Sequence, residues 1–498
     1  MLSSAAASHP HPTTPCVPVA SPTSAPACAD PHVTALRGFI ERMPKMELHA
    51  HLSGSVRTAT VRQLITQHYP AAEVEEQYRL CRLVAGDATE RRTMSECFAL
   101  FAVLHRIIST ADILFQVTLD CLEDFVFGDR VMYLELRTTP RALLNPATGE
   151  SSKQFYLETV FAAFKLFSDA VSHYNTVLDT DSESSRTDAV AAAVAAAAAT
   201  AAAAAADASQ LYPPARPASA AALAAAFRDR HGAGAASHFQ AASLLISVDR
   251  SASVADAEAT VALAAQLRAH GHPVAGIDLS GNPFSKTFAD FAPALTTAKQ
   301  QHALPVTLHF AETDSAADAD GMLAFAPDRL GHAALLTPEL FRRVRASAAP
   351  VEVCLTSNLL CKLHASLDTH PFLSFHSQKH VWLPCTDDMG VFGSTLNDEW
   401  TLLLAQPGFQ YQAAAVCASE SNKAAATAPE SKTLSSEDTC AAAVSGLTAA
   451  EDAVLLLKRK KALVRVAMRG VTACFCAPPQ RAKLLQALEA FYKAELLD

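Results

Sequence analysis

Eight short runs of strand-forming residues punctuate this chain, and most lead directly into a polar residue. They are Lys45–Leu48, Val131–Leu136, Ser243–Val248, Val274–Leu279, Val306–Phe310, Arg329–Gly331, Val351–Leu355 and Val381–Pro384. Amphipathic stretches lie between them, including Ser95–Ile108, Asp112–Phe127, Lys153–Tyr174 and Ala255–Ala269. Strands that alternate with helices pair in parallel through βαβ units. Eight such units predict an α/β fold, a (β/α)8 TIM-type barrel with additional helices. An open doubly wound sheet is the rival arrangement.

The chain has 498 residues, which by length alone would suggest about three domains. Composition argues otherwise. Half the residues are hydrophobic, but aromatics are only 7% and charged residues 18%, and alanine fills the difference. The window Ala189–Ala206 holds 15 Ala, two Val and one Thr. Such sequence adds length without adding core. We therefore expect a Ser/Pro/Ala-rich tail over residues 1–31 and one barrel domain over 32–498. Two low-complexity insertions would interrupt that domain, at 179–242 and 412–446. Residues 447–496 read as two closing helices with a Lys-rich turn at Lys458–Lys461.

The formal net charge is −10, so no bulk basic field attracts nucleic acid. An anionic ligand would need local cations or backbone N–H groups. The twelve cysteines are scattered and form no C-x-x-C pair, which points to reduced thiols in a cytoplasmic protein. The tail lacks Lys, Arg and an apolar core, unlike a signal peptide. The Ala-rich window has no Leu, Ile or Phe and makes a poor membrane span. A monomer with no membrane partner is expected.

Chemistry in a parallel barrel gathers where strands end. The first run leads into His49 and His51, two apart and therefore on one strand face, where two imidazoles can share a metal ion. Satisfied core histidines are the ordinary alternative. His309 and Asp387 also stand at strand ends, and three imidazoles with one carboxylate suit Zn²⁺. Such an ion lowers the pKa of bound water toward ~7. Glu312 lies three residues past His309 and is placed to carry a proton, or else to cap the following helix. His332 reads as a second base, or as a plain loop histidine. Asp387 and Asp388 alternate in direction on a strand, so one can meet the metal and the other a substrate; a solvated Asp pair is the competing view.

Five segments carry a family resemblance: Met46–Ser55 (MELHAHLSGS), Gly276–Gly281 (GIDLSG), Leu308–Thr313 (LHFAET), Arg329–His332 (RLGH) and Thr386–Gly390 (TDDMG). In order and content they resemble the motif series of the adenosine deaminase family. The resemblance implies hydrolytic deamination at purine C6 on a metal-dependent barrel. It implies one zinc per chain held by His49, His51, His309 and Asp387, with hydroxide attacking C6. Glu312 would protonate purine N1, and His332 would orient the attacking water and help deprotonate it. Asp388 would bond N7, and the Gly281 N–H would bond N3.

Adenosine deaminases proper carry Asp where this chain has Ser53. Losing that carboxylate removes repulsion toward a 5′-phosphate. The segment Tyr133–Arg141 (YLELRTTPR) resembles the adenosine deaminase-like branch, which acts on N6-methyl-AMP. By that resemblance His51, Ser53, His105, Thr138, Thr139, Pro140, Arg141 and Asp249 would line a nucleotide site, with Arg141 on the phosphate. The branch usually has Asn at position 53. The family's Pro after the Asp pair is Met389 here, and its Gly after the RLGH histidine is Ala333. The expected ligand is a purine nucleotide; an adenosine deaminase acting on the free nucleoside, and a non-catalytic nucleoside binder, are the alternatives.

Overall fold

The structure is a computed structural model, and it describes residues 31–81, 93–178, 212–232, 234–404, 406, 409 and 449–497. Eight parallel strands form one sheet. They are β1 (Lys45–His51), β2 (Val131–Thr138), β3 (Ala241–Asp249), β4 (Val274–Ser280), β5 (Val306–Phe310), β6 (Arg329–His332), β7 (Val351–Val353) and β8 (Trp382–Pro384). Their spatial order follows the sequence. The sheet returns on itself just beyond β8, where Asp387 bridges Ala50 in parallel. Asp387 N–H donates to the His49 carbonyl at 2.8 Å, and His51 N–H donates to the Asp387 carbonyl at 2.9 Å. Sequential order with this closure makes a barrel and overturns the doubly wound alternative. The strands are buried almost throughout because helices cover the outer face.

The barrel interior is ionic at its centre. Alternation along β2 puts Tyr133, Glu135 and Arg137 on one face. Arg137 bonds Asp278 at 3.0 Å and Glu352 at 2.8 Å. Arg329 joins Glu352 to Glu135. All five charged side chains are essentially unexposed. Buried charges persist only when paired and hydrogen-bonded, and here each carboxylate meets a guanidinium.

Three expectations change. The range 179–242 is not all padding: helix Ala220–His231 and the start of β3 fall within it. That helix carries apolar Leu223, Ala224 and Phe227 inward, and Arg230 and His231 grip Glu123 at 2.7 and 2.6 Å. Residues 179–211 lie outside the described residues, as do 1–30 of the tail and the whole 412–446 stretch. Lys458–Lys461 sits inside helix Ala449–Gly470, and the chain reverses instead over residues 471–477. Lysines are good helix formers, so a Lys cluster is a poor turn signal. The seventh run splits, since its strand ends at Val353 and Leu355 opens a helix. No helix among the described residues is long and apolar enough to cross a membrane.

Candidate active site

Where the strands end, four side chains converge. The ligand atoms of His49, His51, His309 and Asp387 all lie within 4.8 Å of one another. His51 Nε2 is 3.2 Å from His309 Nε2 and 3.4 Å from Asp387 Oδ1. His49 Nε2 is 3.6 Å from the same oxygen and has no hydrogen-bond partner. The other ring nitrogens are held from behind. His49 Nδ1–H donates to Glu352 at 2.6 Å, and His309 Nδ1–H donates to Asp278 at 3.1 Å. This fixes both tautomers, so that the Nε2 lone pairs face one point.

The electrostatics fit a cation at that point. Burial and the Arg137 charge push His49 down, yet Asp387 and Glu352 outweigh them and hold it up at about 9. Burial keeps His51 well below its ordinary value against the pull of Asp387. Burial alone would raise Asp387, but its histidine neighbours hold it well below the usual carboxylate range. The cluster thus brings three imidazoles up against carboxylates that demand positive charge, strongly enough to hold even the buried His49 up. That donor set suits a metal ion.

Unusual backbone supports the arrangement. His332 and Asp387 adopt φ of 58° and 62°, in the left-handed region that non-glycine residues seldom occupy. Such strain persists only where the surroundings impose it. Ala333, where glycine would be free of strain, also has a positive φ of 47°. Gly331 lets His49 approach: a Cβ there would stand 2.9 Å from its ring. Gly54 does the same for Asp388, whose Oδ1 would be 1.6 Å from an added Cβ. Gly54→Ala must therefore displace Asp388. We expect it to lower kcat/KM by about 10²-fold with metal content unchanged, as steady-state kinetics and metal analysis will show.

A cavity of about 360 Å³ opens over the cluster. It is lined by His51, Ser53, His105, Thr138, Thr139, Asp249, Gly281, His309, Glu312, His332, Asp387 and Asp388. Pro140 and Arg141 are not among the lining residues. Arg141 Nη2 donates to the Ile108 carbonyl at 3.2 Å, and its buried Nη1 has no partner. Glu312 is no helix cap, because the next helix starts at Ala316 with Ser315 capping it. Its Oε1 lies 3.5 Å from His332 Nε2. Asp387 and Asp388 are buried, so the solvated-pair view fails. Burial and the adjacent Asp387 charge push Asp388 well above the usual carboxylate range.

Sequence reasoning missed one wall and the support beneath the cluster. Met94, Cys97, Phe98 and Phe101 come from helix Met94–Ile107, and Cys97 packs against Cys361 and Phe392, with its Sγ 3.6 Å from Cys361 Sγ. An apolar helix face gives no signal that it lines a site rather than core. Glu352 and Arg137 were legible only as charges inside apolar strands, a pattern that could have flagged them.

The comparisons decide the family. The adenosine deaminase family pattern matches residues 44–209 and 215–438. The chain belongs to the adenosine deaminase family. It is 30% identical to the N6-mAMP deaminase of Arabidopsis thaliana over 372 residues, covering 74% of this chain and 88% of that protein. It is 30% identical to the human N6-methyl-AMP deaminase over 373 residues, covering 73% and 83%. Among solved structures, Arabidopsis ADAL complexed with IMP superposes with a TM-score of 0.61 at 25% identity, covering 92% of this chain and 99% of that one. Family and relatives make this protein a hydrolytic purine deaminase.

Proposed function

We propose that the protein is a zinc-dependent aminohydrolase that converts N6-methyl-AMP and water to IMP and methylamine. The observation that carries the reading is one cavity whose lining joins a three-histidine, one-carboxylate cluster to Glu312 and to polar Ser53, His105 and Thr139. Its relatives named N6-methyl-AMP deaminase support the substrate. His49, His51, His309 and Asp387 would hold the ion. When bound, Zn²⁺ supplies a Lewis acid that brings the pKa of water toward ~7.

The chain's own residues do the rest. Glu312 gives a proton to N1 as water adds to C6. The C6–N bond then breaks, and methylamine leaves with the second water proton. Asp388, whose carboxyl burial and the adjacent Asp387 raise well above the usual range, would bond N7. The Gly281 N–H serves N3; a φ of 89° sets that amide, and an added Cβ would collide with Asp249 at 2.4 Å. Ser53, Thr139 and His105 line the cavity and would meet the phosphate, with Arg141 as the nearby cation whose charge acts on His105. Burial and the Arg141 charge hold His105 at about 4, so it is neutral at pH 7 and brings no charge of its own. Thr138 is already tied to the Tyr156 hydroxyl at 2.8 Å and shapes the wall. The cysteines described are all free, which supports a reducing cytoplasmic setting.

The rival reading is deamination of free adenosine. Turnover of AMP, N6-methyl-AMP and adenosine separates the two. We expect the methylated nucleotide to react fastest. Arg141→Gln should raise KM for the nucleotide by about 10–100-fold and leave adenosine kinetics alone. Activity confined to adenosine would sink the nucleotide assignment.

A further inference from the structure

Behind His332 runs a buried chain of polar side chains that the reaction scheme has not used. The Asn358 side-chain amide stands between two imidazoles. Its Oδ1 is placed 3.1 Å from His332 Nδ1, and its Nδ2 3.2 Å from His370 Nε2. The far end is anchored to backbone, because Phe372 N–H donates to His370 Nδ1 at 3.1 Å. All three side chains are buried.

The anchor determines the proton positions. A backbone N–H can only donate, so His370 Nδ1 is a bare acceptor. A neutral His370 then carries its proton on Nε2, facing Asn358. With Oδ1 turned toward His332 and Nδ2 toward His370, two donors would face each other at 3.2 Å. Rotating the amide by half a turn resolves the conflict, because amide N and O exchange places with almost no change in shape. Oδ1 then accepts from His370 Nε2–H, and Nδ2–H donates to His332 Nδ1. His332 Nδ1 is in turn an acceptor, and its single proton sits on Nε2. That atom points into the cavity, 3.5 Å from Glu312 Oε1, with no partner of its own.

We propose that Asn358 and His370 are positioning residues that lock His332 as an Nε2–H donor, so that His332 orients the attacking water and Glu312 takes its proton. This differs from the expectation that His332 helps deprotonate the water, and it rests on the deaminase reading. In the balanced step, the C6–O bond forms as one water proton passes to Glu312 and on to N1. The second water proton leaves with the amine as the C6–N bond breaks. His332 gives and receives no net proton.

The test uses the zinc-loaded full chain labelled with ¹⁵N-histidine. Two-bond ¹H–¹⁵N correlation spectra distinguish the tautomers, with His332→Gln identifying the signal. We expect the Nε2–H form at both His332 and His370. Asn358→Asp offers acceptors only, so it should switch His332 to Nδ1–H and lower kcat by at least ~10²-fold with KM within about threefold. A wild-type His332 protonated on Nδ1 overturns the proposal even if the variant fails to fold, and so does an Asn358→Asp enzyme with unchanged kcat. An Nε2–H tautomer in a protein that turns over no purine would instead uphold the lock and defeat the deaminase reading.

Discussion

Replacing Glu312 by Gln is expected to lower kcat by at least ~10²-fold while leaving metal content and thermal stability unchanged. The substitution keeps the volume and a hydrogen-bonding head, but an amide cannot take a proton from water and pass it to N1. Glu312 is outside the four-residue cluster, so its loss removes no ligand atom. It lines the cavity and lies 3.5 Å from His332 Nε2, within reach of the same small space. Single-turnover and steady-state rates on N6-methyl-AMP, with metal analysis of the same preparation, measure the effect. Full activity in the variant would show that the proton travels by another route.

Glu352→Ala is expected to cost about 3–5 kcal/mol of stability and to weaken metal binding by about 10–100-fold. One buried carboxylate here serves four groups: Arg137 at 2.8 Å, Thr307 at 2.9 Å, His49 Nδ1 at 2.6 Å and Arg329. Its removal leaves two guanidiniums under-compensated in a dry interior, and it frees His49 to change tautomer. Burial alone would raise the Glu352 carboxyl, but Arg137, Arg329 and His49 hold it well below its ordinary value. A depressed carboxylate stabilises the fold fully above its unfolded pKa of about 4.3, and that stabilisation is lost as pH falls toward the folded value. The wild-type protein should therefore lose stability steeply with acid below about pH 4.3, and Glu352→Ala should lose this component. Chemical denaturation across pH and competition with a chelator check both halves.

The legible parts of the fold were those written in local pattern. The β5 run Val306–Phe310 coincides with its strand because both ends are marked, by Pro305 before it and by the turn after Phe310. Helix Ala255–Ala269 begins one residue early, at Val254, where Ser253 caps it. The insertion boundary at 242 was wrong because Ala-rich sequence reads the same whether it docks or not. Helix Ala220–His231 is docked by Phe227 against Phe127 and Phe167 and by the ion pairs to Glu123, about a hundred residues away, and composition carries no trace of those partners. The four candidate ligands and Glu312 were visible because strand ends in this fold converge. Cys97, Phe101 and Phe392 were not visible, because an apolar side chain announces burial without saying beside what.

The sequence by itself determined the family, the eight-strand rhythm and the residue types brought to the cavity. These are local properties: period-two alternation, capping, and short motifs in order. Only the tertiary structure decided which nitrogen of each histidine faces the cavity. That depends on Glu352, Asp278 and Asn358, which come from other strands and from the helix that opens at Leu355, and meet the rings through space. It also decided that Arg141 does not line the cavity and keeps one buried donor unpaired, and that burial raises the Asp388 carboxyl well above the usual range. Protonation and tautomer are set by what surrounds a group, and a one-dimensional sequence does not state its surroundings.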